Sequence, residues 1–118
     1  MSDNAAATTT VILVTNDGMG KSDRELQHIL ATKYFQLLLD DGKLPTAICF
    51  YADGVRLVCD GSPALDQLRA LEAAGVRLIV CNTCLNYHQL TTQRAVGLAG
   101  GMGDIIEAQW RADKVITI

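Results

Sequence analysis

Cys81, Cys84 and His88 stand close together in the segment "CNTCLNYH". A Cys-x-x-Cys pair can bind a metal, form a disulfide, attack electrophilic sulfur, or simply pack. Zinc would have to draw its ligands from Cys81, Cys84, His88 and one of Cys59 or His28, and no second paired-ligand motif completes such a site. No metal is therefore assigned. A thioredoxin-type switch places its CxxC after an early strand, facing a later proline-bearing loop, and here no proline follows Pro63. A nucleophilic thiolate fits better. If Cys81 ends a strand and 84–90 begins a short helix, the helix N–H groups favour the charged form of sulfur and would also favour a persulfide anion. Cys84 and His88 would then lie four apart on one face, where His88 could pair with Cys84 or move a proton. The plainer reading is that Tyr87 and His88 cover the end of the sheet, and both readings of His88 stay open.

The elements around this pair alternate. "TVILVT" (10–15) reads as a buried strand, and Ser22 with Glu25 forms a capping-box pattern before a helix carrying Leu26, Ile29, Leu30, Leu37 and Leu38. "TAICFY" (46–51) is a second strand. Ser62 and Pro63 open a helix with Leu65, Leu68 and Leu71 that Gly75 closes. "VRLIV" (76–80) runs into Cys81, "AVGLA" (95–99) is a fourth strand, 103–112 a helix, and "KVITI" (114–118) a last strand. The expected architecture is a three-layer α/β/α sandwich around a five-stranded, mainly parallel sheet. Residues 1–9 read as a flexible tail and 10–118 as a single domain.

Ligand sites in such folds lie beyond the carboxyl ends of the strands, where "NDGMGKS", "CNTC" and "GGMG" all fall. The candidate rim is therefore Asn16, Asp17, Gly18, Met19 and Gly20, with Asn82, Thr83 and His88, and Gly101 and Met102. No nucleotide cofactor is expected. The phosphate-cradling pattern needs glycine where Thr15 stands, and a dinucleotide fingerprint needs it where Ile106 stands. The glycines at 18 and 20 close a turn or, with the free N–H groups of the following helix, hold an anion, and those at 100–103 let backbones pass closely. Cys49 reads as a core residue, Cys59 as structural, and His28 as a packed or surface residue.

The net charge of −3 and the scattered Lys and Arg give no stripe for nucleic acid. No basic start followed by an apolar core reads as an export signal, and no apolar run approaches the roughly 20 residues needed to cross a bilayer, so a cytoplasmic, reducing location is expected. Four cysteines there argue against a disulfide framework.

The succession "FYADGVRLVCDGSPALDQLRALEAAGVRLIVCNTCLNYHQL", with "VTNDGMGKSDRELQHILATKYFQLL" and "ADKVITI", resembles the DsrE/DsrF-like family over about residues 10 to 118. It is most similar to the DsrE-type domain of YedF proteins. The resemblance implies the three-layer fold, assembly into trimers or hexamers, and relay of sulfane sulfur as a cysteine persulfide between donor and acceptor proteins. It puts the working cysteine directly after the third strand, at Cys81, with Cys84 matching a second cysteine found in part of the family. YedF proteins carry a sulfur-carrier domain ahead of this one, so a separate TusA-like carrier is an expected partner. Cys84 would resolve the persulfide by forming a disulfide with Cys81. Two rival functions are a non-catalytic oligomeric module binding a small ligand or protein, and a CxxC dithiol redox protein.

Overall fold

The computed structural model describes residues 8–118. The expected tail thus lies almost wholly outside the described residues. At its end Thr9 is tied down, its N–H and its hydroxyl donating to Asp113 Oδ2 at 3.1 and 3.2 Å.

Five strands, β1 (Thr10–Val14), β2 (Ala47–Phe50), β3 (Arg77–Cys81), β4 (Leu98–Gly100) and β5 (Lys114–Thr117), form one sheet in the order β4-β3-β2-β1-β5. All four pairings are parallel. The helices are α1 (Arg24–Asp40), α2 (Leu65–Ala73), α3 (Asn82–Tyr87) and α4 (Met102–Arg111), with 3-10 segments at Ala52–Val58 and Thr91–Gln93. Parallel strands need crossovers, and right-handed crossovers stepping from β1 to β2 to β3 put α1 and α2 on one face. The return from β4 to β5 puts α4 on the other. Side chains agree: Ile12 lines a cleft with Tyr34, Leu37 and Leu38 of α1, while its neighbour Val11 lines one with Ala108 of α4.

Strands covered on both faces read as unbroken apolar runs, and β2 is buried at all four positions. Phe35, Phe50, Ile12, Ile48, Leu68 and Leu71 are fully buried between the layers, each removal from water contributing roughly 1.5–3 kcal/mol.

Three local expectations are corrected. The fourth strand begins at Leu98 rather than 95, because Gly97 turns the chain through φ +79° while its N–H donates to Glu72 Oε2 at 3.1 Å. A strand cannot run through that left-handed residue. The capping box of Ser22 and Glu25 does not form. Helix α1 starts after Asp23 without a side-chain cap, and the Ser22 N–H donates instead to Gln27 Oε1 at 2.9 Å. The face of α1 turned to the core also differs. Gln27, Ala31 and Phe35 are buried, while Leu26, Ile29, Leu30 and Leu37 are exposed. Two apolar stripes shared the helix, and the one carrying Phe35 buries the largest ring.

Cys49 sits in β2 with no exposed surface, and burial pushes its thiol up to about 11 from an ordinary 9.0, with Arg77 opposing the rise. As pH climbs from about 9 to about 11, the unfolded chain releases this proton while the folded chain keeps it. Folding stability therefore falls across that window, by at most about 1.4 kcal/mol per pH unit for this group. Urea unfolding at pH 7, 9, 10 and 11 should show a shallower decline in Cys49→Ala than in the wild type; parallel declines would refute the assignment.

Candidate functional site

The sequence around Cys81 leaves no loop between strand and helix. Cys81 is both the last residue of β3 and the N-cap of α3, with φ −63° and ψ 115°. Leu85, buried one turn into α3, anchors that short helix to the core. Cys81 is only 2% exposed. Cys84, three residues on and on the same helix face, lies half-buried on its solvent side. Its S–H donates to Cys81 Sγ across 3.1 Å, and all four cysteines are free thiols.

The N–H donor that reaches this pair comes from another element. The Ala52 N–H donates to Cys84 Sγ at 3.1 Å, whereas Cys81 makes no side-chain cap bond to the start of α3. Ala52 has φ +53°, a left-handed conformation that costs a residue with a Cβ roughly 1–2 kcal/mol. Its neighbours enforce it. The Tyr51 N–H donates to the Val14 carbonyl at 3.1 Å, the Gly54 N–H to the Tyr51 carbonyl at 2.9 Å, and Gly54 lies so close to β1 that an added Cβ would meet Val14 O at 2.0 Å. The exit of β2 is thereby clamped over the end of β1, with its first amide aimed at Cys84.

Cys84 keeps its proton more firmly than an ordinary thiol. Burial raises its pKa first, the hydrogen bond to Cys81 raises it further, and the Ala52 N–H partly opposes both. Desolvation wins because one amide cannot replace a hydration shell.

His88 caps the end of α3 and turns toward the 3-10 segment. Arg56 Nη2 lies 3.2 Å from His88 Nδ1, and Asp53 Oδ1 lies 3.4 Å from Nε2. A guanidinium can only donate, so Nδ1 accepts and the ring proton sits on Nε2, facing Asp53. The His88 ring is thus engaged by Arg56 and Asp53 rather than by Cys84. Neither was expected from the sequence, although both follow a strand end as the other segments do, in the "YADGVR" stretch after β2. That placement was the available signal.

The remaining rim residues divide. Cys81 pairs in register with Gly100, so Gly101 and Met102 leave the sheet on the strand next to Cys81, and they are exposed, as are Asn82 and Thr83. The Gly101 N–H is held by Asp104 Oδ2 at 2.9 Å. Residues 16–20 lie two strands away, at the end of β1, and are gathered onto α1 by the buried Gln27. Its Nε2 donates to the Asp17 carbonyl at 3.0 Å, its Oε1 accepts from Asn16 Nδ2 at 3.3 Å, and its carbonyl accepts the Met19 N–H at 3.0 Å. The Asp17 carboxylate accepts from Arg24 Nε at 2.8 Å and contacts His28 Nε2 at 3.0 Å. A cleft of about 270 Å³ joins Asp17, Arg24 and His28 to Arg56 and the buried Cys59. Arg56 therefore stands between that cleft and His88.

The family model for the DsrE/DsrF-like family matches residues 9–118. The chain belongs to the DsrE/DsrF-like family. No curated protein sequence matches it. Among solved structures, the chain is similar to MTH1491 from Methanobacterium thermoautotrophicum, a protein of unknown function, at 19% identity and TM-score 0.70, over 95% of this chain and 100% of that one. It is similar to the YchN protein of E. coli at 19% identity and TM-score 0.67, over 93% and 99%. It is also similar to BT1422 of Bacteroides thetaiotaomicron, a conserved protein of unknown function, at 13% identity and TM-score 0.64, over 92% and 94%. At these identities the likeness establishes the shared α/β fold.

The Gly54 clamp is directly testable. Gly54→Ala forces backbone against backbone, which no rotamer change relieves, and should cost on the order of 3 kcal/mol. It should also speed alkylation of Cys84 as the Ala52 amide is displaced. Ala52→Gly keeps the N–H and removes the left-handed penalty, so its unfolding midpoint should match or exceed the wild type. Equal urea midpoints for Gly54→Ala and the wild type would refute the clamp.

Proposed function

We propose that this DsrE-family protein is a small cytoplasmic sulfur-relay protein in which Cys81 carries sulfane sulfur. The observation that carries the reading is the directed hydrogen bond from the Cys84 S–H to Cys81 Sγ at 3.1 Å. A thiolate at Cys81 receives a donor there, while the raised pKa of Cys84 keeps that donor protonated. Attack by the Cys81 thiolate on the outer sulfur of a donor persulfide forms a new S–S bond as the donor's own S–S bond breaks. The donor departs as a thiolate, and an acceptor thiolate later removes the outer sulfur in the same way. The family resemblance adds the partners: a donor protein and an acceptor protein, with a TusA-like carrier as one candidate. His88, Asp53 and Arg56 form the polar flank such a partner meets.

Assembly into a homo-oligomer, a trimer or hexamer, belongs to the same proposal. Its support is the outward face of α1, where Ile29 and Leu37 line a groove of about 910 Å³ with Pro63 and Gln67. Apolar surface of this kind is commonly covered by another subunit. Sedimentation of the wild type as an oligomer and of Ile29→Glu/Leu37→Glu as a folded monomer is the expected result; a monomeric wild type sinks this part.

The sulfur separation also favours a second reading, a dithiol redox protein, because the two atoms need only a small rotation to form a disulfide. Intact mass and peptide mapping after a short incubation with a persulfide donor, without reductant, separate the readings. Relay predicts one or more added sulfur atoms on Cys81, removed by a mild thiol and absent from a folded Cys81→Ser variant. Loss of two hydrogens with Cys81 joined to Cys84, together with no sulfur on Cys81 in a Cys84→Ser variant that cannot resolve a persulfide, supports the redox reading, and no change at all supports a non-catalytic binding module.

A further inference from the structure

A buried nucleophile that gains an atom needs somewhere to put it. Cys81 is 2% exposed, enclosed by β3, the start of α3 and the paired strand β4. The atom beside its sulfur is Cys84 Sγ, at 3.1 Å. A sulfur bonded to Cys81 Sγ along that direction, about 2.05 Å away, would fall inside the volume that Cys84 Sγ fills. Cys84 is also the member of the pair that can yield, being half-buried and on the solvent side. One turn about its χ1 clears the space.

The vacated position is not inert. The Ala52 N–H points into it from 3.1 Å and loses its acceptor when Cys84 turns away. Ala52 is exposed, so water can take that amide once Cys84 leaves, but its left-handed backbone, clamped by Gly54 against Val14, keeps the N–H aimed at the vacated position rather than following Cys84 outward. An anionic terminal sulfur in the same place restores the lost bond with a charge-assisted one.

We propose that the position of Cys84 Sγ is the subsite for the terminal sulfur of a Cys81 persulfide, with the Ala52 N–H as its built-in donor and Cys84 as a placeholder that swings out on loading. This rests on the sulfur-relay reading above and assigns a positioning role to Ala52 and Cys84. In the loading step the Cys81 thiolate forms the bond to the outer sulfur of the donor persulfide. The donor's S–S bond breaks, its electron pair leaves with the donor thiolate, and the proton of the outer sulfur passes to water. Sulfane sulfur changes partner, with no external oxidant or reductant.

The side chain at position 84 should therefore set the loading rate by its volume. Measured as sulfur added to Cys81 with time, using an alkyl persulfide as donor, Cys84→Ala should load about tenfold faster than the wild type, having no side chain to swing aside and no hydrogen bonds to Cys81 and Ala52 to give up. Cys84→Val, which fills the subsite and cannot turn clear of it, should load about tenfold slower than the wild type. Cys84→Ser, of similar size and still an acceptor for Ala52, should stay near the wild-type rate and keeps the series readable if the valine variant fails to fold. Hydrogen exchange of the Ala52 amide gives a readout that a merely structural role would not move. In Cys84→Ala it should exchange fast when empty and about tenfold slower once Cys81 is loaded.

A wild type that loads sulfur while the variants show no volume order, or an Ala52 amide unaffected by loading, overturns the subsite and leaves sulfur relay standing. Absence of sulfur on Cys81 in every protein overturns both.

Discussion

The contact between Gly54 and the Val14 carbonyl governs the site. Because Gly54 has no side chain, the chain leaving β2 can cross directly over the end of β1, where a Cβ would stand 2.0 Å from the carbonyl oxygen. From that crossing follow the left-handed Ala52, its amide beside Cys84, and the 3-10 segment that brings Asp53 and Arg56 to His88. The thiols sit at the end of β3, yet their polar surroundings are largely supplied by the exit of β2. Neighbouring parallel strands end side by side, so adjacent exits share one surface.

Two effects compete for the proton of Cys84. An amide donor favours a charged sulfur, and burial disfavours it. At Cys84 burial wins, which keeps that thiol protonated and makes it a donor toward Cys81. The expectation that the first amides of α3 would themselves hold the sulfur of Cys81 is not met by a side-chain cap bond; the Cys81 sulfur instead accepts from the Cys84 S–H.

Several features were legible because they depend on short stretches of chain. The β-branched run of β1, the apolar runs of β2 and β3, the turn at Gly75 and the placement of Cys81 at a strand end follow from local composition and periodicity. The face of α1 was not legible, since two stripes of apolar residues share that helix and only the docking of Phe35 into the core chooses between them. Nor was the fate of the glycine-rich 16–20 segment. It imitates an anion loop in sequence, while in the fold its hydrogen-bonding groups are satisfied by Gln27, a polar residue in the first turn of α1 with no local reason to be buried.

By itself the sequence determined the alternation of strands and helices, the family, and the presence of two thiols three residues apart at the carboxyl end of β3. Those properties reside in periodicity and near-neighbour spacing, which a linear reading contains. Only the tertiary structure decided that Cys84 covers Cys81, that Ala52 supplies the amide, and that His88 turns to Asp53 and Arg56. The last two of these join residues some thirty positions apart, and the first depends on the Ala52 amide that holds Cys84 in place. Their distances are set by how adjacent strands end and by one backbone crossing that only a missing side chain permits.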